Sequence, residues 1–163
     1  MDKFILGVII VVFCSFCGFL LAKKYKKRKL FFTQLYEFNE RFLNEVTYYR
    51  RPIEEFSSKY IYKEEFSNAL ELFLQNVKNG VLPPLSLDSI DFSFLSTEEK
   101  QSIEDYFNML GKGDSSSQKA YFSSKSEALK KWQTDAQTTA KKYLDLYIKL
   151  GFLFGLFLLI LLI

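Results

Sequence analysis

The stretch FILGVIIVVFCSFCGFLLAKKYKKRK, residues 4–29, decides how the rest of the chain is read. Its first 19 residues, Phe4 to Ala22, carry no charge, a length that lets one helix cross a hydrocarbon core about 30 Å thick. Six of the next seven residues are basic, and a Lys/Arg excess marks the cytoplasmic side of a span. A cleaved signal peptide is the competing reading. Against it, the apolar run is longer than an ordinary h-region, and no small-x-small site precedes the basic cluster. Neither Cys14 nor Cys17 follows a small residue as in a lipoprotein box, since Phe13 and Phe16 stand there. The segment reads as a retained anchor.

A second apolar run, KLGFLFGLFLLILLI at 149–163, has 14 uncharged residues after Lys149, about 21 Å of helix. Lysine can snorkel to the interface, so the span begins near Tyr147 and slight bilayer thinning covers the remainder. Lys141, Lys142 and Lys149 flank it on the same side as residues 23–29. The expected organisation is therefore anchor 1 at 1–22, a cytoplasmic helical body at 23–149, and anchor 2 at 150–163. Both termini lie outside the cytoplasm. Gly151 and Gly155 form a G-x-x-x-G that admits close approach of another helix. Cys14 and Gly18, also small and four apart, lie at matching depth, which predicts a membrane hairpin packed through these four residues.

Charge and residue usage exclude several functions. The chain has 163 residues and a net charge of +3, but residues 30–149 hold 15 Lys/Arg against 18 Asp/Glu. The positive balance is thus a topology signal with contact to anionic lipid, and not a nucleic-acid groove. Cys14 and Cys17 lie within the apolar run, where a redox pair lacks access and a zinc site lacks further ligands. They read as small apolar filling. No histidine is present, which removes the usual general base and metal ligand. The pairs Glu54-Glu55, Glu64-Glu65 and Glu98-Glu99 sit near helix starts, where the dipole explains them. Neighbours on a helix point about 100° apart and cannot share one site. The expectation is a protein without catalytic residues, cofactor or metal.

Between the anchors the spacing predicts helices, making the fold all-α: an antiparallel bundle of about five to six helices between two transmembrane helices. Leu35, Phe38, Phe42, Val46 and Tyr49 form one amphipathic stripe, ended by Pro52, which also opens the next helix. A helix over about 63–79 carries Phe66, Leu70, Phe73 and Val77 and stops at Gly80. VLPPLSLDSIDFSFL at 81–95 is a proline-containing connection. Ser96 to Glu99 form a capping box for a helix running to Leu110. GKGDSSS at 111–117 turns the chain, with Asp114 as N-cap of a long final helix. The 18 phenylalanines and 10 tyrosines supply the core.

Three motifs, in this order and topology, resemble the stage III sporulation protein AB family. After the basic cluster and a leucine-spaced helix, a Glu-hydrophobic-x-Tyr motif with a following Pro and Glu corresponds to Glu45, Val46, Tyr48, Pro52, Ile53 and Glu55. Leu-Gly-x-x-Asp-x-x-x-Gln corresponds to Leu110, Gly111, Asp114 and Gln118. An ending of Leu-Gly with a second glycine and an aliphatic tail corresponds to Leu150, Gly151 and Gly155. Here Ile53 stands for the commoner leucine, and residues 60–105 show no motif.

The resemblance implies a single-copy relative of the cytoplasmic helical domain of type II secretion F and type IV pilus platform proteins. It also implies a place in the channel between mother cell and forespore, in the mother-cell membrane that engulfs the forespore. Implied partners are the cytoplasmic ATPase of the channel, stage III sporulation protein AA, and the other channel membrane proteins. A homo-oligomer is compatible with it. Glu45, Tyr48, Arg50, Arg51, Pro52, Ile53 and Glu55, with Gly111, Asp114 and Gln118, become candidate docking residues; the competing readings are a plain helix-helix corner for the first group and a simple connector for the second. The rival reading is a self-associating hairpin membrane protein unrelated to sporulation.

Overall fold

The computed structural model describes residues 2–48, 53–58, 60–88 and 92–162. These form five helices: α1 (Asp2–Tyr48), α2 (Ile53–Ser58), α3 (Glu64–Lys78), α4 (Thr97–Met109) and α5 (Ser115–Leu162). No strand occurs among the described residues. The expected count of five to six bundle helices between two transmembrane helices is not matched. Each apolar run is one end of a long helix, 47 residues in α1 and 48 in α5, because no proline interrupts either segment. Nor is the body a plain antiparallel bundle. α2 has only six residues, and the largely non-helical connection between α3 and α4 buries Leu85, Leu87, Phe92 and Leu95 in the core.

The chain divides into two compact units, residues 1–29 with 135–163, and residues 30–134. In the second unit, Phe31, Phe32, Leu35, Phe38 and Phe42 of α1 are buried. Steps of three and four residues place the last three on one helix face. Phe66, Ala69, Leu70 and Phe73 of α3, Ile103, Tyr106 and Phe107 of α4, and Phe122 and Leu129 of α5 complete the core. Phe38 stands at its centre, with ring centroids 5.8 Å from Phe66, 5.9 Å from Tyr62 and 6.3 Å from Phe107. Such separations suit offset and edge-on aromatic pairing.

Polar side chains tie the helices at specific points. The Tyr106 hydroxyl donates to Asn39 Oδ1 at 3.1 Å, and Asn39 Nδ2 donates to the Phe122 carbonyl at 3.4 Å. One buried amide thereby links α4, α1 and α5. Burial holds the Tyr106 phenol protonated, well above its ordinary range. Gln34 pairs with the backbone of Lys63 in both directions, accepting from its N–H at 2.6 Å and donating to its carbonyl at 3.0 Å. Lys63 offers no side-chain cap, so Gln34 fixes the start of α3. The connection is secured by Asn76 Nδ2 to the Pro84 carbonyl at 3.1 Å, and by the Leu87 N–H to Glu104 at 2.5 Å.

In the first unit, α1 and α5 pair in reverse order. Gly7 meets Leu159, Gly155 meets Val11, Gly151 meets Cys14, and Gly18 meets Tyr147. Tyr25 then stacks on Tyr143 at 4.5 Å, and Arg28 binds Asp135 at 3.0 Å. Outward-facing residues such as Val12, Phe13, Phe154 and Ile160 are exposed. Only 17% of the apolar window in α1 and 6% of that in α5 is buried, a distribution suited to lipid and not to a soluble core. Both helices are long and apolar enough to cross a membrane.

Candidate docking surface

The segment 109–118 is assembled by local rules. α4 ends at Met109, and Leu110 and Gly111 form the centre of a turn closed by the Lys112 N–H to the Met109 carbonyl at 3.3 Å. Leu110 has φ −63° and ψ 127°, and Gly111 has φ +77°, the type II combination that demands glycine at the second central position. Asp114 then caps α5. Its carboxylate accepts from the Ser117 N–H at 2.9 Å and from the Ser116 hydroxyl at 3.0 Å. The Ser117 hydroxyl and N–H, with the Ser116 hydroxyl, hold the carboxyl below its ordinary value of 3.8.

Gln118, one turn on and buried, donates to the Lys112 carbonyl at 2.8 Å and reaches the Met109 carbonyl at 3.5 Å. Leu110, Gly111, Asp114 and Gln118 therefore each have a defined part in one connector. Leu110 is buried, Gly111 supplies the turn, Asp114 starts the helix, and Gln118 fastens the turn to it.

Against this connector lies an open, mainly apolar groove of about 710 Å³. Ile53 of α2, Phe73 and Val77 of α3, Leu82 of the connection, and Asn108 with Gly111 from the end of α4 line it. The chain reverses at the end of α3 through Gly80, φ +68°. The Gly80 N–H reaches the Val77 carbonyl at 3.2 Å and the Val81 N–H that of Asn76 at 2.9 Å, the paired bonds of a Schellman ending. Leu82 follows directly and is 81% exposed. Val77, expected on the core stripe of α3, instead faces this groove and is exposed. The amide oxygen of Asn108 is buried at the groove without a hydrogen-bond partner.

Glu45 is buried in the last turn of α1, Tyr48 is the last residue of that helix, and Glu55 is exposed on α2. Arg50, Arg51 and Pro52 lie outside the described residues. Ile53 and Gly111, 58 positions apart, come to one groove. Leu82, Asn108 and Gln34 escaped the sequence reading. An apolar residue between a helix-ending glycine and a proline pair was the available signal for Leu82. Gln34 and Asn108 carry no local signal.

In the membrane-length pair, a Cβ on Gly18 would strike the Tyr147 carbonyl oxygen. One on Gly151 would lie 2.6 Å from the Cys14 carbonyl oxygen, and one on Gly155 2.7 Å from the Val11 Cα. These are backbone contacts closer than any real Cβ tolerates. Cys14 and Cys17 are free thiols. Among the described residues no group of three His, Cys, Asp or Glu side chains stands together as a metal site.

A family model for stage III sporulation protein AB matches residues 3–163. No curated protein and no solved structure matches the chain. The match covers both membrane-length helices and everything between them, and the chain is a member of the stage III sporulation protein AB family.

Proposed function

We propose that this chain is a non-enzymatic platform subunit of the sporulation channel between mother cell and forespore. Its two apolar helix ends anchor it in the mother-cell membrane. Residues 30–134 face the cytoplasm and dock the cytoplasmic ATPase, stage III sporulation protein AA. Family membership supports the sporulation role. The relationship to type II secretion F and pilus platforms rests on the sequence resemblance. The orientation rests on the basic residues at 23–29 and 141–149.

One observation carries the docking reading. Ile53, from the motif around Pro52, and Leu110-Gly111, from the second motif, line the same apolar groove beside an exposed Leu82. A leucine standing in water at the lip of an apolar groove enlarges an exposed apolar patch, and such patches mark interaction sites. The buried, unpartnered Asn108 oxygen gives an incoming donor a place to bond.

The test is co-purification of the detergent-solubilised full chain with the ATPase encoded in the same genome. Retention of the ATPase is expected. Absence of any association, together with normal channel assembly in a strain lacking this chain, overturns the reading.

A further inference from the structure

A second groove lies in the other unit, on one flank of the paired apolar helices. It is open, almost wholly apolar and about 560 Å³ in volume. Phe13, Cys17 and Leu21 of α1 face Tyr147, Gly151 and Phe154 of α5 across it. It arises from the small residues at the contact. Gly18 and Gly151 bring the two backbones together, and Cys17 and Gly151 leave the flank unfilled.

Its extent suggests the occupant. Phe13 to Leu21 spans eight residue steps, about 12 Å of helix rise, close to half of a hydrocarbon core about 30 Å thick. Among the described residues, none before Phe13 and none after Phe154 lines it. A transmembrane helix would need a furrow through both leaflets. This furrow suits a chain confined to the leaflet that borders the basic cluster.

The mouth of the groove carries the matching charge. The lining positions 14, 17 and 21 continue at 24 and 28 in steps of three and four, so Lys24 and Arg28 stand beyond Leu21 on the same helix face. The Lys24 ammonium lies 5.1 Å from the Tyr25 ring, and that ring is stacked on Tyr143. Arg28 is held by Asp135 at 3.0 Å. The collar is thus an ordered surface within a cluster of six basic residues in seven.

We propose that this groove and Lys24 bind one anionic phospholipid, with an acyl chain in the furrow and the phosphate at the lysine. The proposal requires only that the paired helices lie in a membrane, and it is independent of the docking reading.

The full chain is analysed by native mass spectrometry from micelles holding equal amounts of dioleoyl phosphatidylglycerol and dioleoyl phosphatidylcholine. One phosphatidylglycerol is retained per chain, preferred by at least about fivefold over phosphatidylcholine. Lys24→Gln brings the two lipids to near parity. Lys26→Gln, about 200° around the same helix, leaves the preference in place. Cys17→Trp fills the furrow and lowers retention of both lipids at unchanged far-ultraviolet circular dichroism. Equal retention of the two lipids by the parent chain overturns the proposal. So do equal effects of Lys24→Gln and Lys26→Gln, which would mean a diffuse basic collar, or undiminished retention in a folded Cys17→Trp. Should Cys17→Trp fail to fold, the comparison of the two lysines decides alone.

Discussion

Single side chains in this protein hold junctions that periodicity alone does not secure. Asn39, fully buried, uses its oxygen for Tyr106 and its amide for the Phe122 carbonyl. Removing the phenol hydroxyl leaves a buried acceptor unpaired, which costs about 1–3 kcal/mol. Tyr106→Phe therefore lowers the thermal midpoint of the full chain, read by near-ultraviolet circular dichroism, although its ring contacts remain. Gly111 has φ +77° and open space where a Cβ would stand. Gly111→Ala thus carries backbone strain without a clash, about 1–2 kcal/mol, measurable in the same experiment.

Asp114 adds a pH dependence. Its folded carboxyl lies below the ordinary 3.8 because serine donors favour the ionised form. The stabilisation is fully present above that value and is lost as pH falls through the folded pKa. Asp114→Ala is then destabilised at neutral pH, and its difference from the parent chain narrows as pH is lowered past 3.8.

The elements show what a sequence can reveal. The capping box was legible because both of its bonds close within four residues, Ser96 N–H to Glu99 at 2.9 Å and Glu99 N–H to Ser96 at 3.2 Å. The same locality made Asp114 readable as a cap and Gly80 as a terminator. The start of α3 near Lys63 was legible from the spacing, but its fastening was not, because that comes from Gln34, 29 positions away. The stripe of α1 gave Leu35, Phe38 and Phe42 but not Phe31 and Phe32, adjacent residues that no single helical stripe holds together. Both are buried because α1 is covered on more than one side: Phe31 packs on Phe66 and Phe92, Phe32 on Trp132. Val77 kept the period and still faces out, since period shows a shared face and not what covers it.

Among the long helices, the small residues at the contact decide the pairing. Gly151→Leu would drive a side chain into the Cys14 carbonyl, 2.6 Å from its Cβ. Helix packing through close backbone approach depends on such residues. This variant is expected to lose folded, monodisperse protein on extraction, while Leu153→Ala, at an exposed position, does not. Equal yields from both variants would contradict the close-contact account.

At the scale of the molecule, two helices of membrane length and a helical, aromatic-rich body belong to one sporulation family. The sequence made the class readable through charge and hydropathy, which are properties of long segments. The candidate docking groove was only partly readable. Ile53 and Gly111 stood out through their motifs, but their convergence depends on the folded paths of α2, α3 and α4. Leu82 and Asn108 become meaningful only there.

The central claim is that residues 30–134 dock the ATPase through this groove. Its most direct test is a binding isotherm between the purified ATPase and the full chain in nanodiscs, for the parent, Leu82→Asp and Ile61→Asp. Ile61 is also a highly exposed aliphatic residue, at 90%, and does not line the groove. The account predicts that Leu82→Asp weakens binding at least about tenfold, or roughly 1.4 kcal/mol, while Ile61→Asp stays within about twofold. Equal weakening by the two variants, or no binding by the parent chain, would contradict it.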